Sequence, residues 1–427
     1  MIENKQHRQG MYSLVAALFL FLSLRSEYAA SSDLQMRPEL VQALNQAVSN
    51  YPTVVAAKAE VTAVGADLSA AKWARFPSLT IEGLAYRESA KTDSSNSQDN
   101  LQATAILDQP LWTGGVISGN IDRATYQQEA ALAGLGEAVL SVELQATESF
   151  FEVQRQQARQ EIIRKSIADH QNLVDMMKRR VEQEVSPNAD LELVSSRLAQ
   201  MQLQLSVAIS ARNSALQKLR DLVGNPNYAP PLFISGQAQL PQFVLESLIA
   251  DALAFNPKYQ RLKADAKVAQ AAYQVSKGQI LPKLDLQYSY NDVTGNRVGL
   301  VLKSQFSGGL SSVSASEASK MRQVSSELQV NATEREIRNL MVADYEDYTS
   351  LRSRLIAANS ASESSQRISE SYMRQFTSGL RTWLDLMNSV RESTVASLDA
   401  LDASIGAEAA LTRIILRTGL WKAEVRE

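Results

Sequence analysis

The placement of proline constrains this chain more than any other feature. All 11 prolines lie at or before position 282, and none falls between 111 and 186. A proline inside a helix costs about 3 kcal/mol, so the two proline-free stretches permit helices far longer than the usual three turns. From Val116 to about Val185 there is room for some 70 helical residues, about 105 Å at 1.5 Å per residue.

A hydrophobic step alternating between three and four runs through these stretches. It links Leu191, Val194, Leu198, Met201, Leu205, Ala208, Arg212, Ala215, Leu219 and Leu222, and before them Ile163, Ile167, His170, Val174, Met177 and Val181. A sustained heptad predicts a left-handed coiled-coil seam. This seam is thin, with Ala, Ser and Gln as frequent as Leu, which suits helices that touch more than one neighbour, as the wall of a tube requires.

The chain also repeats itself. Leu44, Pro52, Lys58 and Pro77 recur 205 positions on as Ile249, Pro257, Lys263 and Pro282. Thr113-Gly114-Gly115 returns as Ser307-Gly308-Gly309, and Asp190, Leu191 and Gly224 return as Asp385, Leu386 and Gly419. The order is kept and the offset drifts only in variable loops, as a duplication predicts. The expected organisation is a leader over 1–30, a first repeat over 31–224, a linker over 225–244 and a second repeat over 245–427. Each repeat reads as short helix, strand, loop, strand, very long helix, turn, long helix.

Strands are expected at about 79–88, 101–112, 284–291 and 297–306. The clearest, Leu284-Asp285-Leu286-Gln287-Tyr288-Ser289-Tyr290, alternates apolar and polar residues, so its two faces differ. Such alternation fits a soluble sandwich as well as a membrane barrel. Tyr86, Trp112, Tyr288 and Phe306, near strand ends, would suit the aromatic girdles of the latter. Lipid offers no partner to an open sheet edge, and about eight strands is the minimum for one barrel. Four strands that enter lipid therefore require several chains to share a barrel.

Composition removes most other classes. The sequence has no cysteine and two histidines, His7 and His170, leaving almost nothing for triads, thiol chemistry or metal sites; no catalytic, cofactor or metal residues are expected. With 43 basic and 46 acidic residues there is no basic field for nucleic acid. Lys5 and Arg8 precede the apolar run Met11–Leu24 and the small residues Ala29 to Ser32, which predicts a secretory signal peptide. Without cysteine, no lipid anchor on sulfur is expected at the mature N-terminus.

Taken together, these residues resemble the TolC-like outer-membrane efflux and secretion family. The resemblance rests on the duplicated Tyr51-Pro52 and Asn256-Pro257 helix starts, on Phe76-Pro77-Ser78-Leu79 and Leu281-Pro282-Lys283-Leu284, on the Gly-Gly strand ends, and above all on Phe376-Thr377-Ser378-Gly379-Leu380-Arg381-Thr382-Trp383-Leu384-Asp385-Leu386. It implies a mainly α fold with a membrane β-barrel: a homotrimer closing a 12-stranded barrel in outer-membrane lipid, continued by a long α-helical tunnel through the periplasm. It further implies a passive duct, worked by a periplasmic adaptor and an inner-membrane ABC transporter, whose gate lies at the turns near 184–190 and 376–382.

By position in the family motif, Asp385 matches an aspartate of the constriction ring, and Arg381 and Asp190 match members of a charge network between coils. Asp190 could alternatively cap its helix. Phe376 replaces an aromatic, usually tyrosine, and lacks its hydroxyl. Asn388 stands where a second ring aspartate is frequent, and Glu184 stands where a turn glycine is expected. Many efflux members carry a lipid-bearing cysteine, so its absence points to type I secretion of unfolded polypeptide, such as a large adhesin. The alternatives are a drug or metal efflux duct and a soluble periplasmic coiled-coil scaffold.

Overall fold

The computed structural model describes residues 36–87, 99–232, 240–291, 295–304 and 310–423; the expected signal peptide and Phe306 lie outside them. The elements run α1 (Pro38–Asn50), α2 (Pro52–Trp73), β1 (Ser78–Arg87), β2 (Asp99–Trp112), α3 (Val116–Glu182) and α4 (Asn188–Val223), then α5 (Leu245–Phe255), α6 (Pro257–Gly278), β3 (Lys283–Asn291), β4 (Gly295–Lys303), α7 (Ser311–Thr377) and α8 (Trp383–Thr418). The second half thus repeats the element order of the first. Each half carries one helix more than expected, because α1 and α5 are separate from the proline-started α2 and α6.

Local chemistry sets the ends. Pro52 and Pro257 occupy first-turn positions, where the missing N–H is no loss. The Asn256 side chain caps α6 by accepting from the Tyr259 N–H at 3.1 Å. Both α4 and α8 stop at a left-handed glycine, Gly224 and Gly419, the usual helix terminator.

Helix lengths match between the halves. In each, helices of 22 and 36 residues accompany one of 67, as α2 and α4 beside α3 and as α6 and α8 beside α7. At 1.5 Å per residue the shorter two together span about 87 Å against about 100 Å for the long one. Two stacked helices therefore line one long helix, and α6 and α8 also touch α3, joining the halves into one wall. The seam positions predicted on α3 and α4 are all buried or half-buried, while off-seam Leu203 and Val207 stay 65% and 62% exposed.

Among the described residues four apolar clusters hold the wall, the smallest packing Leu68 of α2 on Ile121 and Ala124 of α3. One joins α1, α3, α4 and α8 around Phe150, Leu219 and Leu416; a second joins α5, α7 and α8 around Tyr348 and Ile414; a third sits at the free ends of the two long hairpins. Burying one such large side chain contributes about 1.5–3 kcal/mol. Between the first two, Asp344 on α7 is only 6% exposed and is paired with Arg413 and Arg417 of α8.

The strands form one antiparallel sheet in the order β1-β2-β3-β4, so β2 pairs with β3 across the two halves. Among the described residues no second sheet faces it. The loop from β2 into α3 needs glycine. Gly114, at φ +62°, lies so near Gly278 that a Cβ there would fall 2.8 Å from the Gly278 carbonyl oxygen.

Candidate functional site

Two regions bear on function: the sheet and the hairpin ends. In the sheet the register aligns like with like. Leu79 pairs with Leu107, Ile81 with Ala105, Leu107 with Tyr288, Leu286 with Leu300 and Leu284 with Leu302. The intervening positions pair Thr80 with Ile106, Glu82 with Thr104, Asp108 with Gln287 and Asp285 with Val301. One face is therefore mainly apolar, broken by Gln109 opposite Leu286 and Asn296 opposite Tyr290, and the other mainly polar.

Exposure runs opposite to that of a water-soluble protein. On β3, Leu286, Tyr288 and Tyr290 are 40%, 39% and 46% exposed, whereas Asp285, Gln287, Ser289 and Asn291 are half-buried. Ile81, Val298, Leu300 and Leu302 are each at least 65% exposed. The polar face is internally bonded: Gln287 donates to Asp108 at 2.8 Å, Asn291 to Thr104 at 2.9 Å, and Lys303 lies 3.3 Å from Asp285. Among the described residues no helix packs over either face, and β1 and β4 are open edges.

Of the expected girdle aromatics, Trp112 is 46% exposed and lies at the helix-proximal end of the sheet. An irregularity between Pro110 and Trp112 brings it opposite Leu284, whereas strict alternation would have placed Leu111 there. Tyr288 lies mid-strand, opposite Leu107 and Val298, and so departs from the strand-end position expected of it. Tyr86 pairs with Asn100 at the other end of the sheet and shares the register of Glu82 rather than Ile81.

At the hairpin ends, the turns α3–α4 and α7–α8 adopt one geometry. The Val185 N–H bonds the Arg180 carbonyl at 2.9 Å and the Glu184 N–H bonds that of Val181 at 2.9 Å; Leu380 and Gly379 repeat this with Gln375 and Phe376 at 2.9 and 3.0 Å. Glu184 takes φ +59° where Gly379 takes φ +77°, so a side chain is held in the left-handed region that glycine occupies freely. Exposed apolar side chains, Val185 (59%) and Leu380 (76%), stand at the two tips.

The residues flagged by the sequence converge on these tips but not into one network. Arg381 makes its contacts within its own hairpin: its guanidinium lies 4.4 Å over the Tyr372 ring, its Nε donates to Gln375 at 3.1 Å, and Nη1 is 3.9 Å from Asp385 Oδ2. Asp385 sits in the first turn of α8, where its own N–H donates to the capping Thr382 hydroxyl at 3.2 Å. Asn388, one turn on, is exposed and lines a groove of about 780 Å³ between α4 and α8.

Asp190 occupies the first turn of α4, half-buried. The residue in the capping position is Pro187, so Asp190 is not the cap; it favours the helix through the dipole. Within one chain no hydrogen bond or ion pair joins it to Arg381 among the described residues. The contact between the coils is instead apolar. Phe376, 8% exposed, packs with Leu173, Met177, Val194, Leu386 and Val390, and Arg180 of α3 lies 5.3 Å over its ring. The lost hydroxyl thus leaves a buried ring under a cation. His170 is packed in the seam as expected, with Nδ1 2.7 Å from the Ser166 carbonyl oxygen.

Sequence reasoning missed Arg180. Its position, next to the end of a long helix and at a distance from the motif, gave no signal that pairing across coils could supply.

This architecture recurs in solved structures. The chain superimposes on the outer-membrane channel OprN with a TM-score of 0.80 at 15% identity, covering 90% of each chain. It matches the outer-membrane protein VceC of Vibrio cholerae with a TM-score of 0.79 at 15% identity, over 89% of this chain and 96% of that one. With CusC, whose structures concern folding and transmembrane channel formation, the values are 0.78 and 12%, over 90% and 95%. The fold is therefore that of a TolC-like outer-membrane channel. Residues 43–225 match the family model described as outer membrane efflux protein. No curated protein matches its sequence.

Proposed function

We propose that three copies of this chain assemble in the outer membrane into one passive channel-tunnel, and that it serves type I secretion as the exit duct for unfolded polypeptide. The observation that carries the assembly is the sheet: an apolar face exposed to the outside, a bonded polar face turned inward, and two open edges. Water penalises that apolar face, and lipid penalises those edges. Three such sheets joined edge to edge satisfy both.

The duct itself supplies no energy. An inner-membrane ABC transporter and a periplasmic adaptor open it from the hairpin ends, where Val185 and Leu380 offer apolar contacts. The preference for secretion rests on the cysteine-free sequence. A second reading, drug or metal efflux, is favoured by the description of the family that residues 43–225 match.

Deleting the gene and following both phenotypes distinguishes them. Secretion predicts that a large polypeptide is retained in the cell with unchanged drug and metal tolerance. Efflux predicts the reverse. Recovery of the protein from the soluble periplasm without detergent would leave only the scaffold reading.

A further inference from the structure

Glu143 lies midway along α3 and is 4% exposed, among the apolar side chains of the cluster that joins α1, α3, α4 and α8. A carboxylate so placed needs a cation or several donors to remain ionised. No ion pair reaches it among the described residues. Its hydrogen bond there is from the backbone N–H of Ala423, 3.3 Å from Oε1.

The charges on the surrounding elements are engaged elsewhere. Arg37, before α1, forks onto Glu408 of α8 at 2.8 and 2.9 Å, while Arg413 and Arg417 of α8 hold Asp344. Arg220 of α4 donates to the Tyr228 carbonyl at 2.9 Å, and Lys422 lies 4.8 Å over the Phe255 ring. On α3 itself Glu137 is taken by Arg261 and Glu152 by Arg155. Glu39 of α1 is half-buried and, being acidic, offers no compensation.

Residues 420–423 follow the end of α8 at Gly419 and lie over this site, with Trp421 and Ala423 packed on the same cluster. With this segment in place the Glu143 carboxyl meets little water.

We propose that Glu143 is a proton-operated latch for the C-terminal segment: protonated, it leaves Trp421 to Ala423 docked on α3, and ionised, it recruits water and lifts them. Burial drives the carboxyl up to about 7 against the opposing pull of the Ala423 N–H. Raised above its unfolded value of 4.5, it supports docking fully below that pH and loses that support as pH rises through about 7. Between those two values each pH unit favours the lifted form by about tenfold, and above about 7 the gain levels off.

The test is hydrogen exchange, read by mass spectrometry, at the amides of Leu420 to Ala423 in the whole detergent-extracted oligomer. Rates are divided by those of the unfolded peptide at each pH. Protection in the wild type should fall about tenfold between pH 6 and pH 8, and in Glu143→Gln it should stay level. Wild-type protection that is flat over this range overturns the proposal without any variant. An equal fall in Glu143→Gln, or a parallel fall in α8, overturns it as well.

Discussion

Arg180 on α3 stacks over the ring of Phe376 on α7, 5.3 Å from its centroid, and this pair ties one long hairpin to the other at their free ends. The ring is buried among Leu173, Met177, Leu386 and Val390, so the contact combines apolar burial with a cation over a π-face.

Phe376→Ala should therefore loosen the coil ends. Truncating a buried phenylalanine costs about 3–5 kcal/mol, of which the cation–π part is about 0.5–1 kcal/mol. Closed-state conductance in planar bilayers should rise, and amide protection over 372–390 should fall, while Phe376→Tyr keeps both near wild type. A conductance unchanged by the alanine variant would remove the pair from the gate.

Arg381→Ser removes the Tyr372, Gln375 and Asp385 contacts together. They lie within one hairpin and are two-fifths exposed, so the change should cost little overall stability, about 1 kcal/mol. It should free the α7–α8 turn and raise closed-state conductance less than Phe376→Ala. A larger rise would mean that Arg381 also bridges between copies.

Asp385→Ala should lower cation preference, read as the reversal potential in a salt gradient. Asn388→Asp, adding a second carboxylate one turn along α8, should raise it. If neither moves the reversal potential, these positions lie outside the conducting path.

Glu184→Gly should relieve the left-handed strain at the α3–α4 turn. The relief is about 1–2 kcal/mol, less about 0.4–1 kcal/mol for the added freedom of the unfolded chain, so the variant should unfold at a slightly higher temperature. Gly379→Glu should do the opposite at the equivalent turn. Equal melting of all three proteins would show that the turns carry no such strain.

Leu300→Arg places a charge on the apolar sheet face, where a bilayer midplane penalises it by about 2–4 kcal/mol. Less oligomer should then run as a high-mass band in unboiled outer-membrane extracts. Val301→Arg, one residue along and in the polar face's register, should leave the band intact. Loss of the band in both would indicate a folding defect rather than lipid contact.

The sequence by itself determined the long helices, their seams and the four strands. Proline absence, heptad spacing and period-two alternation act over neighbouring residues and survive without tertiary context. It also singled out Asp385, Arg381 and Phe376 through one local motif. Only the tertiary structure decided the rest. The pairing of β2 with β3 joins residues some 180 positions apart, and the irregularity that moves Trp112 opposite Leu284 arises from that pairing. Glu184 accepts a left-handed turn because the packed hairpin ends hold it there. Arg180 finds Phe376, and Ala423 covers Glu143, only once distant helices meet. Contacts of that kind depend on which surfaces the wall brings together, and no spacing along the chain records them.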